Sequence, residues 1–159
     1  MNVTAAFIII LLVSWPGEAA AQSDELMSAH QQCRALNNQG RFGDAESFCL
    51  KALKLGETEL GSENVTVAAL LNNLANLYYN QSRYDDAEPL FKRSLAINEK
   101  TYGSEHRKMA LNLNNLAVLH SKQGHYGEAE LLHKRSLAIR EKIFGPNHHE
   151  VVLENRTGC

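Results

Sequence analysis

Neither charge is in surplus in this 159-residue chain: 16 Lys and Arg face 18 Asp and Glu, giving a net charge of -2 and a pI near 6.4. A global positive field that would draw the chain onto phosphate backbones or anionic lipid is therefore lacking, and nucleic acid is not an expected partner. Gly-rich phosphate loops, nucleophile elbows and paired acids in a catalytic frame are also missing, so neither an enzymatic activity nor a cofactor is expected. Long apolar runs are scarce as well. The longest, Ala5 to Trp15, is about half of the roughly 20 residues that a membrane-spanning helix needs. What remains is 44% hydrophobic and 21% charged, the balance of one globular domain rather than a disordered chain.

The apolar run reads as a secretory signal peptide over residues 1–21. Pro16 and Gly17 follow it, and Ala19 with Ala21 gives the small-x-small pattern before cleavage at Gln22. The stretch Met1 to Thr4 carries no Lys or Arg, which leaves an uncleaved anchor as the alternative. On the first reading the mature chain, residues 22–159, is periplasmic or secreted and has no membrane attachment.

The chain repeats itself every 42 residues, as Gly61, Gly103 and Gly145 show, with Ala45, Ala87 and Ala129 and Leu53, Leu95 and Leu137 in the same register. The segment LNNLANLYYNQSRYDDAEPLFKRSLAINEK from Leu71 matches LNNLAVLHSKQGHYGEAELLHKRSLAIREK from Leu113. Within each copy the apolar residues fall at helical spacing in two groups, Leu70, Leu71, Leu74, Leu77 and Tyr78, then Ala87, Leu90, Phe91 and Leu95. Each unit is thus expected to be two amphipathic helices, A and B, joined by a polar break such as Asn80 to Arg83 that is short enough to force an antiparallel hairpin. Gly103 and Gly145 suit left-handed caps on helix B, and Asn64 is the best N-cap of a following helix A, with His106 and His148 weaker equivalents. The predicted units span about 24–66, 67–108 and 109–150, with a partial fourth at 151–159.

The pattern Leu71-x-x-Leu74-Ala75-x-x-Tyr78 followed by Ala87-x-x-x-Phe91 resembles the tetratricopeptide repeat. The 42-residue spacing, the LNNLA opening of helix A and the GPNHHEV close of the unit are similar to the kinesin light chain variety. An export signal argues against a light chain of a cytoplasmic motor. The resemblance implies an all-α, right-handed α-solenoid of about three helix-turn-helix units with a truncated fourth. It also implies a concave groove lined by helices A. By register that groove would hold Arg34 and Asn38 in the first unit, Asn72, Asn73, Asn76 and Asn80 in the second, and Asn114, Asn115 and Lys122 in the third. An Asn amide both donates and accepts, so a ladder of them can satisfy the backbone of an extended peptide. Asn73 and Asn115 serve equally well as ties between neighbouring units, since buried polar groups need a partner in either case. Arg34 and Lys122 in a groove with few acids favour a ligand of acidic character.

Cys33 and Cys49 take the places of Ala75 and Phe91 on the two facing helices of the first unit. In an oxidising compartment a disulfide between them is expected, contributing about 3 kcal/mol in the chain-entropy picture; two buried thiols are the alternative. Seven histidines are present, but His106 and His148 recur at helix starts, and His120 and His133 replace Tyr78 and Phe91 at core places. Without ligands at metal spacing such as His-x-x-x-His, no metal centre is expected. The sequence therefore predicts an exported module that binds a peptide or partner protein. The alternative is a self-associating scaffold, or a piece of a longer array, that assembles through an open C-terminal edge at Val151, Val152 and Leu153.

Overall fold

The computed structural model describes the backbone of residues 16–146 and side chains from Asp24 onward. Within it lie six helices: α1 (Pro16–Asn38), α2 (Phe42–Leu60), α3 (Val65–Asn80), α4 (Tyr84–Tyr102), α5 (Arg107–Lys122) and α6 (Tyr126–Phe144). They pair as α1/α2, α3/α4 and α5/α6, with α2 against α3 and α4 against α5. This is the all-α repeat architecture that the periodicity predicts. The apolar run before Pro16 and the edge residues Val151, Val152 and Leu153 lie outside the described residues. No helix among those described is long and apolar enough to cross a membrane.

Each A–B turn is made the same way. Gly40, Ser82 and Gly124 have positive φ, and the next residue's N–H reaches back five positions: Arg41 to the Leu36 carbonyl, Arg83 to that of Tyr78, and His125 to that of His120. Together with the bonds from Gly40 to Asn37, Ser82 to Tyr79 and Gly124 to Ser121, these are Schellman closures, which satisfy the last carbonyls of helix A and reverse the chain. The left-handed caps thus end helices A. At Gly103 and Gly145 the left-handed cap expected from the sequence is corrected: there, and at the equivalent Gly61, φ is positive but ψ lies between 149 and 168°. That conformation is extended rather than left-handed helical and is nearly exclusive to glycine, which is why all three units keep it. Asn64 caps α3 by accepting from the Thr66 N–H at 2.8 Å, and His106 caps α5 through the Lys108 N–H at 3.2 Å.

One apolar seam runs the length of the array, from Cys33, Leu36, Ala45 and Cys49 through Leu74, Leu77 and Phe91 to Leu116 and Leu119. Fully buried alanines at 45, 87 and 75 let the paired helices approach closely. Buried Ser94 and Ser136 tie helix B to helix A by donating to the carbonyls of Ala68 and Ala110 at 2.8 and 2.9 Å. Where α2 crosses α3, a Cβ on Gly56 would sit 2.6 Å from Leu70 Cδ1, so the glycine makes room for a leucine that the third unit replaces with Asn112.

Candidate functional site

Helices A place three matching stripes side by side. On α1 the stripe is Met27, His30, Gln31, Arg34 and Asn38; on α3 it is Ala69, Asn72, Asn73, Asn76 and Asn80; on α5 it is Leu111, Asn114, Asn115, Val118 and Lys122. All are half-buried or exposed, while the residues between them, such as Leu70, Leu71, Leu74 and Ala75, are buried in the seam. The stripes share a gradient. Met27 and Leu111 leave apolar surface open at one end, amides fill the middle, and Lys122 stands at the far end. From His30 to Asn38, and throughout α3 and α5, helices A contain no Asp or Glu.

Side chains link successive units along both rows of helices. Between helices A the links are short amides, and α1 also meets α3 directly. Between helices B the links are long: Arg93 of α4 reaches Glu57 of α2 at 2.6 Å, and Arg135 of α6 reaches Glu99 of α4 at 3.2 Å. Arg93 and Arg135 on helices B are these inter-unit struts.

Four of the predicted groove asparagines are engaged within the protein. Asn115 Nδ2 donates to Asn72 Oδ1 at 3.3 Å, Asn72 Nδ2 to Asn112 Oδ1 at 2.8 Å, and Asn112 Nδ2 to Ser94 Oγ at 3.2 Å, which in turn donates to the Ala68 carbonyl. Every member passes a proton donor in the same direction, an arrangement in which each bond polarises the next. One unit earlier the relay is cut short: His30, Leu70 and Ala52 stand at the places of Asn72, Asn112 and Ser94, and Asn73 Nδ2 lies 2.6 Å from His30 Nε2. Asn80 donates to Asn37 Oδ1 at 3.1 Å. Arg34, Asn38, Asn76, Asn114 and Lys122 have no side-chain bond among the described residues. Asn112, which is 1% exposed, was missed in the sequence; its signal was that an amide replaces Leu70 one period later.

Because the Asn73 amide nitrogen donates, His30 Nε2 must accept, which requires a neutral ring. Burial, and then the neighbouring Arg34 charge, lower the His30 pKa below its ordinary 6.5. The folded state thus binds its proton less readily than the unfolded one. The contribution of His30 is intact above pH 6.5 and is lost as pH falls below it toward the folded value. We expect His30→Asn to lose less stability than the parent between about pH 7.5 and 5.5, read as the difference in urea midpoints at the two pH values.

Cys33 and Cys49 are joined by a disulfide, with Cα atoms 4.8 Å apart, and both are 2% exposed. Of the histidines assigned to core places, His120 is buried but His133 is only half-buried.

Comparison with known families matches residues 66–142 and 34–65 to two models of the tetratricopeptide repeat. Comparison with curated proteins gave no match. Among solved structures, the chain is similar to BtubC (BKLC) from P. vanneervenii, with a TM-score of 0.72 at 24% identity over 84% of this chain and 52% of that one. It is equally similar to a Podosopora anserina protein described as a kinesin light chain of nearly identical TPR-like repeats, with a TM-score of 0.72 at 25% identity over 81% of this chain and 61% of that one. The N-terminal domain of stress-induced protein-1 from C. elegans matches at a TM-score of 0.61 and 19% identity, over 87% of this chain and 97% of the domain. The chain thus spans between half and two thirds of the first two proteins. Repeats of this type generally mediate protein–protein interaction and are typically not enzymes.

Proposed function

Since the chain belongs to the tetratricopeptide repeat family, we propose that it is an exported interaction module that holds an extended polypeptide along the inner face of its helices A. The observation that carries this reading is the set of amides left unengaged. Asn38, Asn76 and Asn114 lie on the stripes with neither a side-chain bond among the described residues nor a nearby acid on their own helices. A row of free amides backed by a rigid relay is suited to the N–H and C=O groups of a peptide that has left water. Arg34 and Lys122 add positive charge without a facing carboxylate on helices A, which favours a ligand bearing acidic side chains. Met27 and Leu111 offer it an apolar foothold. Export is supported by the apolar run Ala5 to Trp15 with its Ala19 and Ala21, and it accords with a disulfide in the first unit.

The relay asparagines are poor probes of binding, because their loss would disturb the stacking of the units. Asn76→Ala with Asn114→Ala removes only unengaged amides. This pair is expected to leave the helical signal in circular dichroism unchanged and to weaken capture of a partner from extract of the chain's own compartment by about tenfold or more, the worth of one to two hydrogen bonds of about 1 kcal/mol each. Arg34→Glu with Lys122→Glu should weaken it further and reverse its salt dependence. Capture at parental strength by both folded variants would move the site off this face.

A second reading has one observation in its favour. Helix α6 buries Ala129, Ser136 and Ile139, whereas α4, flanked on both sides, buries Ala87, Phe91, Ser94, Ile97 and Asn98. The smaller burial on α6 among the described residues would suit stacking of a further unit or a second copy, and an apparent mass that rises with concentration would support it.

A further inference from the structure

We propose that His120, His125 and Glu128, at the turn from α5 to α6, form a binding site for one divalent transition-metal ion of the zinc class. Their ligating atoms all lie within 4.8 Å of one another. His120 comes from the last turn of α5, His125 is the N-cap of α6, and Glu128 stands in the first turn of α6. The sequence placed His120 in the core; the fold brings it to His125 and Glu128.

The repeat supplies an internal comparison. At the same place one period earlier stand Tyr78, Arg83 and Asp86, with Glu46 reaching in from the preceding unit. The Arg83 guanidinium fills that place: its Nε lies 2.8 Å from Asp86 Oδ2, its Nη1 3.0 Å from Glu46 Oε1, and its Cζ 4.0 Å above the Tyr78 ring. In the first unit Arg41 pairs with Asp44 at 2.7 Å. The third unit keeps both carboxylates, as Glu128 and Glu88, but the permanent cation is gone. Histidines replace the arginine and the tyrosine together, which exchanges a guanidinium and a phenol for two metal-ligating nitrogens.

The position of His120 also fits a ligand. Only 6% of it is exposed, and its Nδ1, buried without a hydrogen bond, points toward Glu128 Oε2 at 3.2 Å. On the other side of the ring Nε2 faces Glu88 Oε1 at 4.0 Å. Glu88 is itself fixed, by Lys92 at 2.6 Å and by the Gln123 amide at 3.3 Å. The hydrogen bonds from Lys92 and then Gln123 hold its carboxyl below the usual carboxylate range. A carboxylate behind one imidazole nitrogen while the other faces the metal is the arrangement that orients metal-bound histidines. Two imidazoles and one carboxylate suit zinc, and leave a fourth position for water; calcium and magnesium prefer all-oxygen sets. Zinc at about 2.0–2.1 Å from each ligand needs donors about 3.3 Å apart. His125 and Glu128, both exposed, can close that gap by side-chain rotation.

The whole chain in a Cys159→Ser background, which removes the terminal thiol, should bind one equivalent of zinc by calorimetry, and cobalt should give the absorption bands of a low-coordinate site. We expect His125→Ala and Glu128→Ala each to weaken zinc binding by more than about 100-fold, and Glu88→Gln by about 10–100-fold as the loss of an outer partner. The pair His120→Tyr with His125→Arg, which rebuilds the second unit's cation, should abolish binding while leaving the helical signal intact. The proposal fails if the parent shows no saturable zinc binding. It fails equally if binding survives His125→Ala and disappears in His148→Ala with His149→Ala.

Discussion

Phe91→Ala is expected to lower the stability of the chain by about 3–5 kcal/mol, read as a fall in the urea midpoint monitored by circular dichroism. Phe91 is 1% exposed and packs in the seam that runs from Cys33 in the first unit to Leu119 in the third. Truncating it both exposes a cavity and loosens the central unit, on which the outer two depend. In a quasi-one-dimensional array each unit is stabilised mainly by its neighbours, so a defect in the middle is transmitted to both ends. His133→Ala, at the equivalent place in the third unit, makes the control. It is half-buried there and is expected to cost about 1 kcal/mol or less.

Removing the Cys33–Cys49 bridge is expected to cost about 2–4 kcal/mol. The first unit is where such a loss is felt most, because α2 buries only Ala45, Cys49, Ala52 and Gly56, none of them a large apolar side chain. In the second unit Phe91 and Leu74 supply the burial that holds α3 to α4. In the first, a covalent link stands at the place of the aromatic ring and narrows the set of conformations open to the unfolded hairpin. Reductant should therefore lower the urea midpoint of the parent but leave that of Cys33→Ala with Cys49→Ala unchanged. Equal midpoints for parent and variant without reductant would mean that the bridge contributes nothing.

The fold was legible because a solenoid writes its period into the chain. Leu74, Leu116 and Ala87 recur in step since each unit must bury the same face against the next. Positions where the units differ carried the rest, and less readably. Asn112 drew no reading in the sequence, yet it is buried and closes the relay from Asn115 to Ser94. Its burial depends on a side chain two helices away, which no local pattern encodes. Gly103 and Gly145 signalled positive φ, but whether ψ is extended or left-handed is set by the chain that follows and not by the glycine itself. His120 was placed correctly in the interior; its neighbours His125 and Glu128 belong to the following turn and helix, and their convergence depends on the Schellman closure at Gly124. The groove stripes themselves were read by register. Which of their amides were already engaged became visible only when helices A were set side by side.

Whether helices A bind polypeptide on their groove face is read from the side-chain amide resonances of the asparagines during titration with a captured partner. Asn38, Asn76 and Asn114 have no side-chain bond among the described residues to mask a change in environment, while Asn98 is buried on α4 and serves as a reference. The first three are expected to shift in proportion to bound partner, and Asn98 to stay in place. Shifts confined to residues of α2, α4 and α6, with Asn76 and Asn114 unmoved at saturation, would contradict binding on that face.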